Sequence, residues 1–158
     1  MTAVFAGTFD PFTLGHKDIV KRALGIFGSV VIAVAEETGK SVIPLDRRVK
    51  IASLSVSDLK DVTVEPFSGL LSEYVLGKKN AVLVRGLRSA SDFDYERELC
   101  DVYRTLGVEK IVHIICEPKF SSVSSTTVRL LAALGGDLSG FIDGEATKEI
   151  VNLYGHKE

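Results

Sequence analysis

The segment Ala3-Val4-Phe5-Ala6-Gly7-Thr8-Phe9-Asp10-Pro11-Phe12-Thr13-Leu14-Gly15-His16 decides how the rest of the chain is read. Its first four residues form an apolar run that reads as a buried strand. Beyond it, Asp18 to Phe27 carries apolar residues at 19, 20, 23, 24 and 27, one face of a helix. Gly7–His16 is therefore a strand-to-helix turn holding glycines, hydroxyls and one histidine. A helix start presents unpaired backbone N–H groups and the positive end of a dipole, which suits phosphate. Glycine lets a ligand approach the backbone closely. On local grounds alone, a tight βα turn that merely contains His16 is the competing reading.

The same alternation continues along the chain. Val30–Ala35 is a continuous, β-branched run, as in a strand covered on both faces. A polar loop, 36–41, leads to a helix over Leu45–Ser57, where Leu45, Val49, Ala52 and Val56 recur at helical spacing. Val62–Glu65 reads as strand three, followed by a short helix over Leu70–Leu76. Strand four is Ala81–Val84, running into Arg85-Gly86-Leu87-Arg88 and a polar helix over Asp92–Leu106. Strand five is Lys110–Cys116, and Glu117–Phe120 is loop. Two further helices cover Ser124–Ala133, ending at Gly135-Gly136, and Gly144–Tyr154. Five strands separated by helices predict an α/β fold: a single doubly wound five-stranded parallel sheet with helices on both faces. Nothing in the chain marks an internal boundary, so residues 1–158 are expected to form one domain.

A chain of 158 residues is long enough to bury about 70% of its unfolded surface. Its net charge of −2 gives no global basic excess, which argues against bulk nucleic-acid binding. Cys100 and Cys116 make no disulfide framework. No signal peptide and no run long enough to span a membrane is visible, so the expected compartment is cytoplasmic, without membrane association.

Sheets of this kind bind ligands at the carboxyl ends of their strands. Thr8 and His16 follow strand one, Lys40 follows strand two, and Arg85 and Arg88 follow strand four. Lys119, Ser121, Ser122, Ser124, Ser125 and Thr126 follow strand five. Groups suited to phosphate thus gather on one sheet edge. Thr38-Gly39-Lys40-Ser41 looks like the end of a P-loop, but Val34 stands where that motif needs glycine. The glycines of the first turn do not match G-x-G-x-x-G, so no nicotinamide cofactor is indicated. Arg85 and Arg88 offer planar forks for phosphate, or for the acidic side chains of the next helix. Ser124–Thr127 offers more hydroxyls than one helix cap needs. His113 and His156 read as structural, and Asp10 as a turn residue rather than a metal ligand. No His/Cys/Asp cluster has metal-ligand spacing, which leaves magnesium carried on nucleotide phosphates.

With these residues assembled, the sequence resembles the bacterial phosphopantetheine adenylyltransferases, of the nucleotidyltransferase superfamily with a T-x-G-H signature. The signature is Thr13-Leu14-Gly15-His16, preceded by Gly7-Thr8-Phe9-Asp10-Pro11. Two further matches follow in order: Arg85-Gly86-Leu87-Arg88 with Asp92-Phe93-Asp94-Tyr95-Glu96, and Val123-Ser124-Ser125-Thr126. Departures are Ala6 in place of a usual proline, Phe120 in place of tryptophan or tyrosine, and a loop around Lys40 poorer in lysine. The resemblance implies a Rossmann-like nucleotidyltransferase fold and adenylyl transfer from ATP to 4′-phosphopantetheine, yielding dephospho-coenzyme A and pyrophosphate. It implies His16, Lys40 and Arg88 as catalytic residues, with His16 stabilising the transition state. Thr8, Lys40, Leu71 and Arg85 would hold phosphopantetheine. Thr8, Phe9, His16, Gly86, Leu87, Arg88, Glu96, Phe120, Ser121, Ser122, Val123, Ser124, Ser125 and Thr126 would hold ATP. It further implies Mg2+ with the ATP and no organic cofactor, a homo-oligomer (a hexamer), and coenzyme A as a feedback ligand. Two alternatives compete: another small-acceptor transferase, using nicotinamide mononucleotide or a cytidylyl donor, and a module that senses ATP without chemistry.

Overall fold

The structure is a computed structural model that describes residues 1–36, 39 and 41–155. Five parallel strands make one sheet: β1 (Thr2–Gly7), β2 (Ser29–Ala35), β3 (Val62–Phe67), β4 (Ala81–Leu87) and β5 (Ile111–Ile115). Their order, β3-β2-β1-β4-β5, places β1 at the centre and reverses direction beside it. That reversal is the switch point where such sheets open a crevice. The helices are α1 (Leu14–Phe27), α2 (Leu45–Ser55), α3 (Leu71–Leu76), α4 (Ala90–Thr105), α5 (Ser125–Ala133) and α6 (Gly144–Tyr154).

Alternation along the strands decides what each face buries. Ala3 and Phe5 of β1 and Val30, Ile32 and Val34 of β2 share one apolar cluster with Ile19, Val20 and Ala23 of α1, Ile51 and Ala52 of α2, and Ala146 and Ile150 of α6. Val4 and Ala6, one residue out of phase, join Ala33 and Leu83 with Val75 of α3 on the other face, and Tyr103 of α4 packs there too. The strands are thus covered on both sides, the reason they are continuously apolar. Among the described residues, no helix is long and apolar enough to cross a membrane.

Two strands run further than their apolar stretches. β3 continues through Pro66 and Phe67, with Pro66 opposite Val34. Proline gives the ladder no N–H, and β3 tolerates it because it is an edge strand. β4 continues through Arg85, Gly86 and Leu87, which pair with His113, Ile114 and Ile115 of β5. Arg85 is therefore a strand residue, held more rigidly than the loop residue expected from sequence. Glu117–Phe120 is not wholly loop either, since Pro118–Phe120 forms a 3-10 turn. α2 stops at Ser55, two residues earlier than its apolar periodicity suggests.

Candidate active site

The turn after β1 is built around aromatic rings. Phe9 has φ 47° and packs against Phe5 and Phe12, each with ring centroids 5.2 Å away. A Cβ on Gly7 would sit 3.1 Å from the Phe9 ring, so glycine there lets the ring fold back over the chain. His16 is seated among the same rings, 5.1 Å from Phe9 and 5.3 Å from Phe12.

The T-x-G-H signature is itself a helix cap. Thr13 is the N-cap of α1, and its hydroxyl accepts from the His16 backbone N–H. In return the Thr13 backbone N–H donates to His16 Nδ1 at 3.0 Å. This is the reciprocal capping box, with histidine in the position usually held by Glu or Gln. Since Nδ1 accepts, the ring proton is assigned to Nε2. Burial, and secondarily the charge of Arg88, push the His16 pKa down to about 3. At neutral pH His16 is an uncharged N–H donor with a fixed tautomer, and it lines the cleft.

Arg85 and Arg88 form the opposite wall. Arg85 Nε and Nη2 donate to the two carboxylate oxygens of Glu96 at 2.7 and 2.6 Å, a bidentate fork. Its Nη1 reaches the Ala6 carbonyl at 3.4 Å. Burial opposes the Arg85 charge, but the Glu96 contact outweighs it and the pKa is raised. The Arg88 backbone N–H donates to Asp92 Oδ2 at 2.9 Å, and its guanidinium lies 3.4 Å from the same oxygen. Both arginines thus use the acidic partners that the sequence left as the competing reading. Being part of the cleft wall, they remain placed to meet a ligand there.

The start of α5 supplies the third wall. Ser124 is the N-cap, its side chain accepting from Thr127 N–H at 3.1 Å. The Ser125 hydroxyl donates to the Pro11 carbonyl at 2.8 Å, tying α5 to the first turn. Arg129, one turn on, donates to Thr126 Oγ1 at 3.2 Å and to the Asp10 carbonyl.

Beneath the cleft, Arg48 of α2 is 1% exposed and donates to four carbonyls: Thr8 (2.7 Å), Ala35 (2.8 Å), Ile43 (2.9 Å) and Glu36 (3.2 Å). It ties together the ends of β1 and β2, where buried carbonyls would otherwise lack donors.

These walls enclose a cleft of about 760 Å³ at the carboxyl end of the sheet. Of the residues anticipated from sequence, it brings together Thr8, Phe9, His16, Leu71, Arg85, Gly86, Arg88, Glu96, Val123, Ser124, Ser125 and Thr126. Leu87 is buried and is not part of this wall, and neither are Phe120, Ser121 and Ser122. Lys119 is paired with Glu117 at 2.7 Å, outside the wall. Lys40 lies outside the described residues, as does His156. His113 sits in β5, its ring centroid 6.5 Å from that of Phe93. Gly86 also has a packing role, because a Cβ there would lie 3.1 Å from Ile19 Cγ1 of α1.

Sequence reasoning missed Asp10, Thr13, Tyr95, Tyr103 and Arg129 as wall residues, and Arg48 beneath it. Two signals were available. Thr13 and His16 have capping-box spacing, and Arg129 falls three residues after Thr126, on the same helix face. Nothing in the local pattern marks Arg48, whose partners are carbonyls brought near only by the fold.

A parallel sheet with a central switch point, a capped histidine and three phosphate-suited strand ends in one cleft defines a nucleotidyltransferase of the cytidylyltransferase-like type. The family model described as Cytidylyltransferase-like matches residues 4–131. Phosphopantetheine adenylyltransferase from Acidovorax sp. (strain JS42) is 40% identical over 156 residues, covering 97% of this chain and 94% of that relative. The enzyme of the same name from Thioalkalivibrio sulfidiphilus (strain HL-EbGR7) is 44% identical over 144 residues, covering 90% and 91%. The chain therefore belongs to the phosphopantetheine adenylyltransferase family. A solved structure from Vibrio parahaemolyticus, assigned as a nicotinate-nucleotide adenylyltransferase, superposes with a TM-score of 0.71, covering 99% of this chain and 96% of that one. At 17% identity, that likeness concerns the fold alone.

Proposed function

We propose that the protein transfers the adenylyl group of ATP to 4′-phosphopantetheine, forming dephospho-coenzyme A and pyrophosphate. The observation that carries this reading is the position of the neutral His16 donor in the same cleft as Arg85 and Arg88. The acceptor is a phosphate monoester with a second pKa of about 6, so it arrives ionised and needs no general base. One of its oxygens attacks the α-phosphorus of ATP, and the bond to the bridging oxygen of the β-phosphate breaks. Pyrophosphate leaves with that electron pair. The protein's task is to hold two anions in line and to stabilise the charge that builds on the α-phosphate.

His16 Nε2–H serves the α-phosphate, and its neutrality keeps it a donor throughout. Thr8 and Lys40 hold the α-phosphate and the acceptor phosphate together. Arg85 takes the acceptor phosphate, and Leu71 lies along the pantetheine arm. Arg88 and the start of α5 take the β- and γ-phosphates, while Phe9, Gly86, Glu96 and Val123 complete the ATP site. Asp10, Asp92 and Glu96 in the wall are each paired with an arginine, which fits a magnesium ion held by the phosphates rather than by a protein cage. When bound, Mg2+ would offset charge on the departing pyrophosphate. The protein is read as a cytoplasmic homo-oligomer, a hexamer, with coenzyme A as a feedback ligand of the same cleft.

Pyrophosphate release with ATP, magnesium and a panel of acceptors tests the reading. Turnover is expected with 4′-phosphopantetheine. Turnover with nicotinamide mononucleotide alone would reassign the acceptor, and no turnover with any phosphorylated acceptor would favour an ATP sensor.

A further inference from the structure

Asp10 is only 5% exposed, and its carboxylate is fully engaged within the protein. Oδ1 accepts the Ile43 backbone N–H at 2.8 Å, and Oδ2 accepts that of Val42 at 2.8 Å. Arg129 Nη1 lies 3.4 Å from Oδ2 and also donates to the Asp10 carbonyl. A side chain so occupied is placed neither as a metal ligand nor as a base. It instead joins three segments of separate origin: the turn after β1, the connection entering α2, and α5. Two of the three carry cleft residues, Thr8 and His16 on the first and Ser125, Thr126 and Arg129 on the last. The connection entering α2 contains Lys40, two positions before Val42 in the chain.

The geometry points to Asp10 as a positioning residue for adenylyl transfer: its carboxylate, with Arg129 as counter-charge, fixes the segment after Lys40 against the His16 turn. A carboxylate is required because every partner is an N–H donor. Asparagine keeps one acceptor oxygen and adds a donor, so it cannot serve Val42, Ile43 and Arg129 together. Small misplacements of phosphate-holding groups have large effects on an in-line displacement, which is why an uncatalytic anchor can govern rate. The inference rests on the proposed role of Lys40 in that reaction.

The test is a double-mutant cycle between Asp10→Asn and Lys40→Ala, read in turnover and in ATP affinity, with hydrogen exchange at the Val42 and Ile43 amides of the free protein. Asp10→Asn should lower kcat by roughly 10–100-fold. In the Lys40→Ala background it should lower kcat by less than about threefold, because the two changes act through one segment. Exchange at Val42 and Ile43 should rise at least about tenfold while the β1 amides stay protected. Val42→Pro removes one of the donors at an exposed residue without touching Asp10, and it should reduce kcat in the same direction. Additive losses in the cycle, or unchanged exchange at Val42 and Ile43, would overturn the inference. An inactive wild type would overturn the proposed reaction instead, and the exchange and ATP-affinity arms would still decide the role of Asp10.

Discussion

The Thr13 backbone N–H donates to His16 Nδ1 at 3.0 Å, and this one bond fixes both the start of α1 and the proton of the imidazole. Because Nδ1 is occupied as an acceptor and burial holds the pKa near 3, His16 stays neutral with Nε2–H exposed to the cleft. The His16 C2 proton should therefore show no titration between pH 5 and 8 in NMR spectra. The acid limb of kcat/KM for the acceptor should instead follow its phosphate, near pH 6. A His16 resonance titrating near its ordinary 6.5 would contradict the assignment.

The same shift links His16 to stability. Its folded pKa lies below the ordinary 6.5, so between about pH 6.5 and 3 the unfolded chain binds a proton that the native state refuses. Its contribution to stability is complete above that window and is lost as pH falls through it. His16→Gln should therefore lose less stability than wild type between pH 7 and 5, as measured by urea unfolding. In the same variant kcat should fall by about 10²–10³-fold.

Thr13→Ala removes the hydroxyl that caps α1 while leaving the backbone donor in place. It should cost about 1 kcal/mol in denaturant unfolding, and Thr13→Ser should restore most of it. Equal stability of the alanine and serine variants would show that the cap is dispensable.

The reach of sequence reasoning can be seen in particular residues. The runs at Ala3–Ala6 and Val30–Ala35 are apolar throughout because both sheet faces are covered, and such runs announce a parallel sheet. His16, Arg85 and Arg88 were legible because ligand sites of these sheets lie at strand ends. The continuation of β4 through Arg85 was not, because Arg85 and Gly86 carry no strand signal and are held by pairing with β5. Arg48 and Asp10 were hidden for a related reason. Arg48 serves four carbonyls from three segments, and Asp10 serves amides more than thirty positions away, relations that no local spacing records.

Arg48→Met should cost at least about 3 kcal/mol, since several buried carbonyls lose their donor at once. Arg48→Lys should recover only part, because an ammonium cannot span the planar fork. Urea unfolding reads both, and a loss below that of Thr13→Ala would show that water replaces the guanidinium.

Gly86→Ala would bring a Cβ to 3.1 Å from Ile19 Cγ1. Overpacking of this kind should cost about 1–3 kcal/mol. Combined with Ile19→Ala, the loss should be smaller than the sum of the two single changes, because the second removes the clash. Strict additivity would place the strain elsewhere.

The central claim is that an acceptor phosphate held in this cleft attacks the α-phosphorus directly. The most direct measurement uses ATP carrying a chiral phosphorothioate at the α position, with 4′-phosphopantetheine as acceptor, and reads the configuration of the product. A single in-line displacement predicts a dephospho-coenzyme A analogue formed with inversion at phosphorus. Retention, or the absence of that product while the same nucleotide is consumed with another acceptor, would contradict the account.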